Sequence, residues 1–145
     1  MLKNIDPILS PSLLEALRAM GHGDDICLVD ANFPAESVAG SRPLIRLDGV
    51  SMNQVANAVF SVLPLDSFVD QPMVRMEMVG QPQHMPEVQV EVLALAHRHY
   101  EAGLTMGSLE RFAFYEAARQ AFVIVATGDR RPYGCFLIKK GGIFG

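Results

Sequence analysis

Asp25-Ile26-Cys27-Leu28-Val29-Asp30 is a short, unbroken apolar run between two acids, and its reading decides the fold. Four consecutive apolar residues leave no polar face, so the run reads as a strand buried on both sides, the kind found inside an α/β sheet. Upstream, Ser10-Pro11-Ser12 opens a helix. Proline suits the first helical position, and Ser12 with Glu15 fits a capping box. Leu13, Leu14, Leu17 and Met20 then share one helical face, and Gly21 is placed to end it. Downstream, Asn32-Phe33-Pro34 breaks the strand. Leu44-Ile45-Arg46-Leu47 reads as a second short strand, and Asp48-Gly49 supplies the turn after it.

The same patterning continues to the end of the chain. Ser51-x-x-Gln54 is another capping box and predicts a helix with Val55, Val59, Phe60 and Leu63 inward, stopped near Pro64. Residues 73–79 alternate, with Val74, Met76 and Met78 on one side and Arg75 and Glu77 on the other, which predicts a half-buried strand. Pro82 and Pro86 bracket a loop. Val88, Val92, Leu95 and His99 mark a helix, and a further helix runs from about residue 109 through residue 118. Residues 121–127 and 133–139 read as strands joined by Gly128-Asp129-Arg130-Arg131-Pro132, a hairpin turn. No repeat, low-complexity tract or linker interrupts the order. The expectation is a single α/β domain over residues 1–145, a mixed β-sheet flanked by helices.

Composition excludes several classes of function. Of 145 residues, 12 are Lys or Arg and 16 Asp or Glu, a net charge of −4. A phosphate-backbone binder wants a basic face, so nucleic acid is not an expected partner. The longest clean apolar run, residues 121–126, falls far short of the ~20 needed to cross a bilayer. The N-terminus lacks a continuous apolar stretch and a small-residue cleavage site, so no signal peptide or membrane is expected. Two cysteines, Cys27 and Cys135, make no framework of bridges, which favours a reduced, cytoplasmic setting. At 50% hydrophobic and 19% charged, against a usual charged share of about 25%, the apolar fraction is generous for a small monomer.

Several residues carry possible chemistry. Gly21-His22-Gly23-Asp24-Asp25 strips bulk from both sides of a histidine, and imidazole suits general acid–base work near neutral pH. The plainer reading is a helix C-cap followed by an incidental polar loop. Asp30 leaves a buried strand, at the kind of strand end where open α/β sheets bind ligands; equally, it caps the following turn. Arg111 starts a helix against the macrodipole preference, as either a solvated charge or a ligand clamp, and Phe112 to Tyr115 reads most simply as core. At Tyr133-Gly134-Cys135, a glycine permits close approach of a ligand and a phenol offers a donor and an acceptor, unless the tyrosine simply packs at a strand entry. His97 and His99 lie two apart on a helix and point to different faces, so no metal site is expected. No nucleophile elbow is present.

These segments converge. MGHGDDICLVDANFPAES (residues 20–37), ERFAFYEAARQAFVIVATGD (110–129), YGCFLIKKG (133–141) and the opening MLKNIDPILSPSLLEAL resemble the fucose-mutarotase branch of the RbsD/FucU family, which also contains D-ribose pyranase. The resemblance covers nearly the whole chain and is weakest between residues 82 and 107. It implies a sugar mutarotase that needs no cofactor, assembled as a ring-like homo-oligomer, often a decamer. By residue, it implies that His22 is the proton donor and that Asp30, Arg111, Tyr133, Gly134 and Cys135 bind the monosaccharide. One departure stands out: the family usually has Asn where this chain has Cys135.

Anomer interconversion opens a hemiacetal, rotates the aldehyde and recloses the ring, so acid–base catalysis suffices and typically contributes about 10²–10⁴-fold. His22 enters the strand and Asp30 leaves it. At about 3.3 Å per residue, five residues separate the two by roughly 16 Å, more than one monosaccharide spans. Either the loop folds back sharply, or one pocket draws His22 and Asp30 from different subunits. The competing expectations are ribose pyranose–furanose interconversion and a non-enzymatic sugar-binding module; only the enzyme needs His22. A ring of subunits would also account for the apolar excess, because obligate interfaces are apolar and depleted in charge.

Overall fold

The computed structural model describes residues 1–145. In chain order the elements are α1 (Pro11–Ala19), β1 (Asp25–Val29), α2 (Ala35–Ala39), β2 (Leu44–Leu47), α3 (Met52–Phe60), β3 (Met73–Met76), α4 (Glu87–His99), β4 (Gly107–Leu109), α5 (Arg111–Arg119), β5 (Val123–Thr127) and β6 (Phe136–Lys139). The strands form one six-stranded mixed sheet in the order β2-β5-β1-β6-β3-β4. β1 lies inside it, parallel to β5 with Ile26 opposite Val123, and antiparallel to β6 with Asp25 opposite Lys139 and Leu28 opposite Phe136.

Both faces of the sheet are covered, which is why the central strands have no polar alternation. Ile26, Leu28, Val123, Val125, Phe136 and Ile138 point into a core built with α1, α3 and α4. Cys27, Val29, Ile124, Ala126, Cys135 and Leu137 point the other way, onto α2 and α5. Side chains such as Ile26, Leu28, Phe136 and Ile138 are fully buried, each worth about 1.5–3 kcal/mol in apolar transfer. No helix is long and apolar enough to cross a membrane.

Local chemistry sets the helix ends. Ser51 and Gln54 form the complete reciprocal capping box at the start of α3. In α1 the cap is Ser10, whose hydroxyl accepts from the Leu13 N–H at 3.3 Å. Ser12 therefore lies inside the first turn and does not cap it. Gly21 does not end α1 as a left-handed cap. Lys140 Nζ instead donates to the terminal carbonyls of Leu17 and Met20 at 2.7 and 2.6 Å, and the left-handed glycine of this loop is Gly23, at φ 91°.

Three further expectations are corrected. Gly128 to Pro132 is not a hairpin turn, because β1 lies between β5 and β6 and the segment crosses over it. Arg75 does not face solvent: it is buried, and its Nη2 donates to the Pro82 carbonyl at 2.9 Å. The alternation itself holds, with Val74 and Met76 on the α2–α5 side and Met73 on the other; the second face is simply covered as well. Phe112 is not core but 65% exposed, while Phe114 takes the buried place. Short α2 and β4 were not expected from the pattern, both being too brief to show periodicity.

Candidate functional site

Two polar clusters occupy opposite ends of β1. The first surrounds Asp30, which is buried just past the strand. Its Oδ1 accepts from the Asn32 N–H at 3.0 Å, and its Oδ2 accepts from the Cys135 thiol at 3.4 Å. Burial pushes the Asp30 pKa up, while the Cys135 thiol and the N–H groups of Asn32, Gly134 and Phe33 partly offset this. Cys135 is itself raised well above the usual thiol range by burial and by the Asp30 charge. The Cys135 side chain is therefore turned onto Asp30.

Tyr133 adopts φ 63°, a left-handed backbone unusual for a large residue. Gln89 holds it there. This fully buried side chain donates from Nε2 to the carbonyls of Tyr133 and Met76 at 2.9 and 2.8 Å. The Tyr133 hydroxyl accepts from the Val79 N–H at 3.2 Å. Gly134 packs near Asp30, where an added Cβ would lie 3.5 Å from the Asp30 Cβ and 3.4 Å from Val88.

Arg111 begins α5 on the exposed side of this cluster. Glu110 answers the unfavourable cation by capping the helix, its carboxylate accepting from the N–H groups of Phe112 and Ala113. Arg111 Nε donates to the Tyr115 hydroxyl at 3.1 Å, one helical turn on, and its guanidinium lies 5.4 and 5.5 Å from the Phe112 and Tyr115 rings. The Tyr115 hydrogen bond favours its charged form first, with a weaker contribution from the Tyr133 phenol. Tyr115 packs edge-on against Phe33 at 5.4 Å, which links Arg111 to the segment after β1.

The second cluster surrounds His22. Its loop is pinned to the far end of β6, with the Gly23 N–H donating to Lys140 O at 2.8 Å and the Lys140 N–H to Asp24 O at 2.9 Å. His22 Nε2 lies 3.0 Å from Asp66 Oδ1. The Asp66 side chain is only 4% exposed, against 38% for His22. The Phe68 N–H, and after it the His22 ring, hold the Asp66 carboxyl below its usual range.

Asp30, Arg111, Tyr133, Gly134 and Cys135 thus gather at one end of β1, and His22 stands at the other. The loop does not fold back. Sequence reading missed Asp66, Tyr115 and Gln89. Tyr115 was signalled by its i+4 spacing from Arg111. Asp66 meets His22 across 44 residues, and no local pattern reports such a contact.

Fold and site together define a class: a three-layer, mixed-sheet α/β protein with polar clusters at the two ends of its central strand. The chain belongs to the RbsD / FucU transport protein family, whose model matches residues 3–143. It is 43% identical over 146 residues to a fucose mutarotase of Bos taurus, covering 97% of this chain and 94% of that one. It is 40% identical over 141 residues to an L-fucose mutarotase of Haemophilus influenzae, covering 97% and 96%. The solved fucose mutarotase of Streptococcus pneumoniae, in complex with L-fucose, superposes with a TM-score of 0.90 at 37% identity over 99% of this chain and 100% of that one. Bacillus subtilis RbsD, complexed with D-ribose, shares the fold alone, at a TM-score of 0.74 and 17% identity over 99% and 100%.

Proposed function

We propose that this chain is an isomerase of the L-fucose mutarotase type, interconverting the α and β anomers of L-fucose by acid–base ring opening and reclosure. The observation that carries the reading is identity of 40–43% to fucose mutarotases over nearly the full length of both partners.

In this reading His22 moves the proton. Asp66, kept ionised, is an acceptor, so His22 Nε2 carries the hydrogen it donates to Asp66, and Nδ1 is left for the sugar. The protonated ring gives its Nδ1 proton to the ring oxygen O5 while solvent water takes the proton of the anomeric hydroxyl. The C1–O5 bond breaks, the aldehyde rotates about C1–C2, and reclosure on the other face returns both protons. Asp30 accepts from sugar hydroxyls, Arg111 donates to them, and Tyr133, Gly134 and Cys135 shape the wall.

The reading includes a ring-like homo-oligomer, of the decameric kind the family resemblance often implies, in a cytoplasmic setting, with residues 1–145 as one unit. A site shared between subunits is supported by the separation of the two clusters. It brings His22 of one subunit to Asp30 of its neighbour. Saturation-transfer NMR across a sugar panel tests the reading, because it detects anomer exchange without net turnover. Exchange of L-fucose above the buffer rate is expected, and binding without exchange would leave a sugar-binding module. Co-assembly of His22→Ala with Asp30→Asn subunits tests the shared site. About a quarter of randomly mixed sites regain both residues if they come from neighbours, and none do if both come from one chain.

A further inference from the structure

Two phenylalanines beside His22 are exposed without an evident reason. Phe68 and Phe144 are each 70% exposed, yet they stack on one another with centroids 5.7 Å apart and planes 24° from parallel. His22 sits against both, 5.0 Å from the Phe68 ring and 6.2 Å from the Phe144 ring. Phe68 is held in place by its own N–H, which donates at 3.0 Å to Asp66 Oδ1, the oxygen that also meets His22. One carboxylate oxygen thus sets the acid–base ring and the aromatic wall in fixed relation. His22 also lines an apolar cleft of about 460 Å³ with Leu17, Val62, Leu63 and Ile143.

The chemistry of a pyranose says what such a wall faces. The ring oxygen is bonded to C1 and C5, and the substituent on C5 is two bonds from that oxygen. A group that protonates the ring oxygen therefore has the C5 substituent as an immediate neighbour. In a 6-deoxyhexose this is a methyl group, in a hexose a hydroxymethyl, and in a pentopyranose a hydrogen. An aromatic and aliphatic surrounding rewards the methyl, gains less from a hydroxymethyl that loses its water, and gains nothing from hydrogen.

We infer that Phe68 and Phe144 are specificity-determining residues, an apolar wall that selects sugars bearing a methyl group on C5. The inference rests on the mutarotase reading and names what that site discriminates. It gives the segment that follows β6 a part in substrate choice.

The test compares L-fucose, L-galactose and D-arabinose, which share ring stereochemistry and differ only at C5. The readout is anomer exchange by saturation-transfer NMR, with kcat/KM taken for each sugar. The intact protein is expected to favour L-fucose over D-arabinose by about 10–100-fold, the range one apolar group supplies in a fitted pocket. Phe68→Ala and Phe144→Ala are each expected to cut that ratio by about 10-fold, mainly through L-fucose, with D-arabinose changed by less than about threefold. Phe68→Leu and Phe144→Leu should restore an intermediate ratio, which a role only in folding or assembly would not produce. An unchanged ratio in both alanine variants overturns the inference. So does an equal fall for all three sugars, or a loss of assembly size without a change of ratio. If the intact protein exchanges none of the sugars, the mutarotase reading fails first and the wall falls with it.

Discussion

Asp66 Oδ1 lies 3.0 Å from His22 Nε2, and the carboxylate is almost completely buried while the imidazole is not. The buried acid is the fixed member of the pair, and in the proposed mechanism the more exposed histidine is the one that works. His22→Ala is therefore expected to abolish anomer exchange while sugar binding persists. Asp66→Asn keeps the shape but loses the charge that fixes the tautomer, and should lower kcat by about 10–100-fold with KM changed little. Exchange by NMR together with sugar binding by calorimetry checks both; undiminished exchange in His22→Ala would refute the mechanism.

Asp30 is held at a cost to the fold. Burial raises its pKa above the unfolded value, so the folded state prefers the protonated form and ionisation at neutral pH is destabilising. Asp30→Asn should thus be as stable as the parent at pH 7, or up to about 1 kcal/mol more stable, while losing sugar binding. The gain should fade as pH falls through the raised folded-state pKa and be gone below about 4, where the unfolded carboxylate is protonated as well. Denaturant titrations at two pH values decide this, and a clear loss of stability at pH 7 contradicts it.

Asp129 behaves oppositely. The Arg131 guanidinium, at 3.0 and 2.9 Å, is the main reason its carboxyl is pulled down to about 2. With the folded value depressed, its contribution is complete above the ordinary carboxylate pKa and disappears as pH falls from about 4 to about 2. Because the Arg131 side chain is 37% exposed, screening trims the effect to about 1–2 kcal/mol. Asp129→Asn should flatten this part of the acid-unfolding curve, and it also weakens the bond from the Met52 N–H at 3.1 Å. An acid limb identical to the parent's would rule out this ion pair as its source.

Gly128 ends β5 against the turn that follows β2. A Cβ there would lie 2.4 Å from Gly49 N and 2.7 Å from Gly49 Cα. Backbone cannot yield as a side chain does, so Gly128→Ala should cost about 1–3 kcal/mol. Thermal unfolding measures it; a Tm within error of the parent would mean the turn moves freely.

What could be read from sequence divides by range. Buried strands and capped helices depend on residues within one or two turns, so DICLVD and Ser51-x-x-Gln54 declare themselves. The spacing from His22 to Asp30 was legible for the same reason, since strand length is a local property. Pairings were not: Gly128 to Pro132 has the composition of a hairpin turn, and only β1 inserting between β5 and β6 makes it a crossover. Asp66 and Gln89 acquire their roles through contacts 44 residues away. Arg75 is buried because the loop after β3 folds back over it, its Nη2 donating to the Pro82 carbonyl seven residues on.

β6 touches both ends of the arrangement. Its approach carries Cys135 onto Asp30, and its exit carries Lys140 under the His22 loop. It also joins two otherwise separate ribbons, β2-β5-β1 on one side and β3-β4 on the other. One strand thus anchors both ends of the arrangement, so a substitution that frays β6 is expected to disturb the two clusters together rather than either one alone.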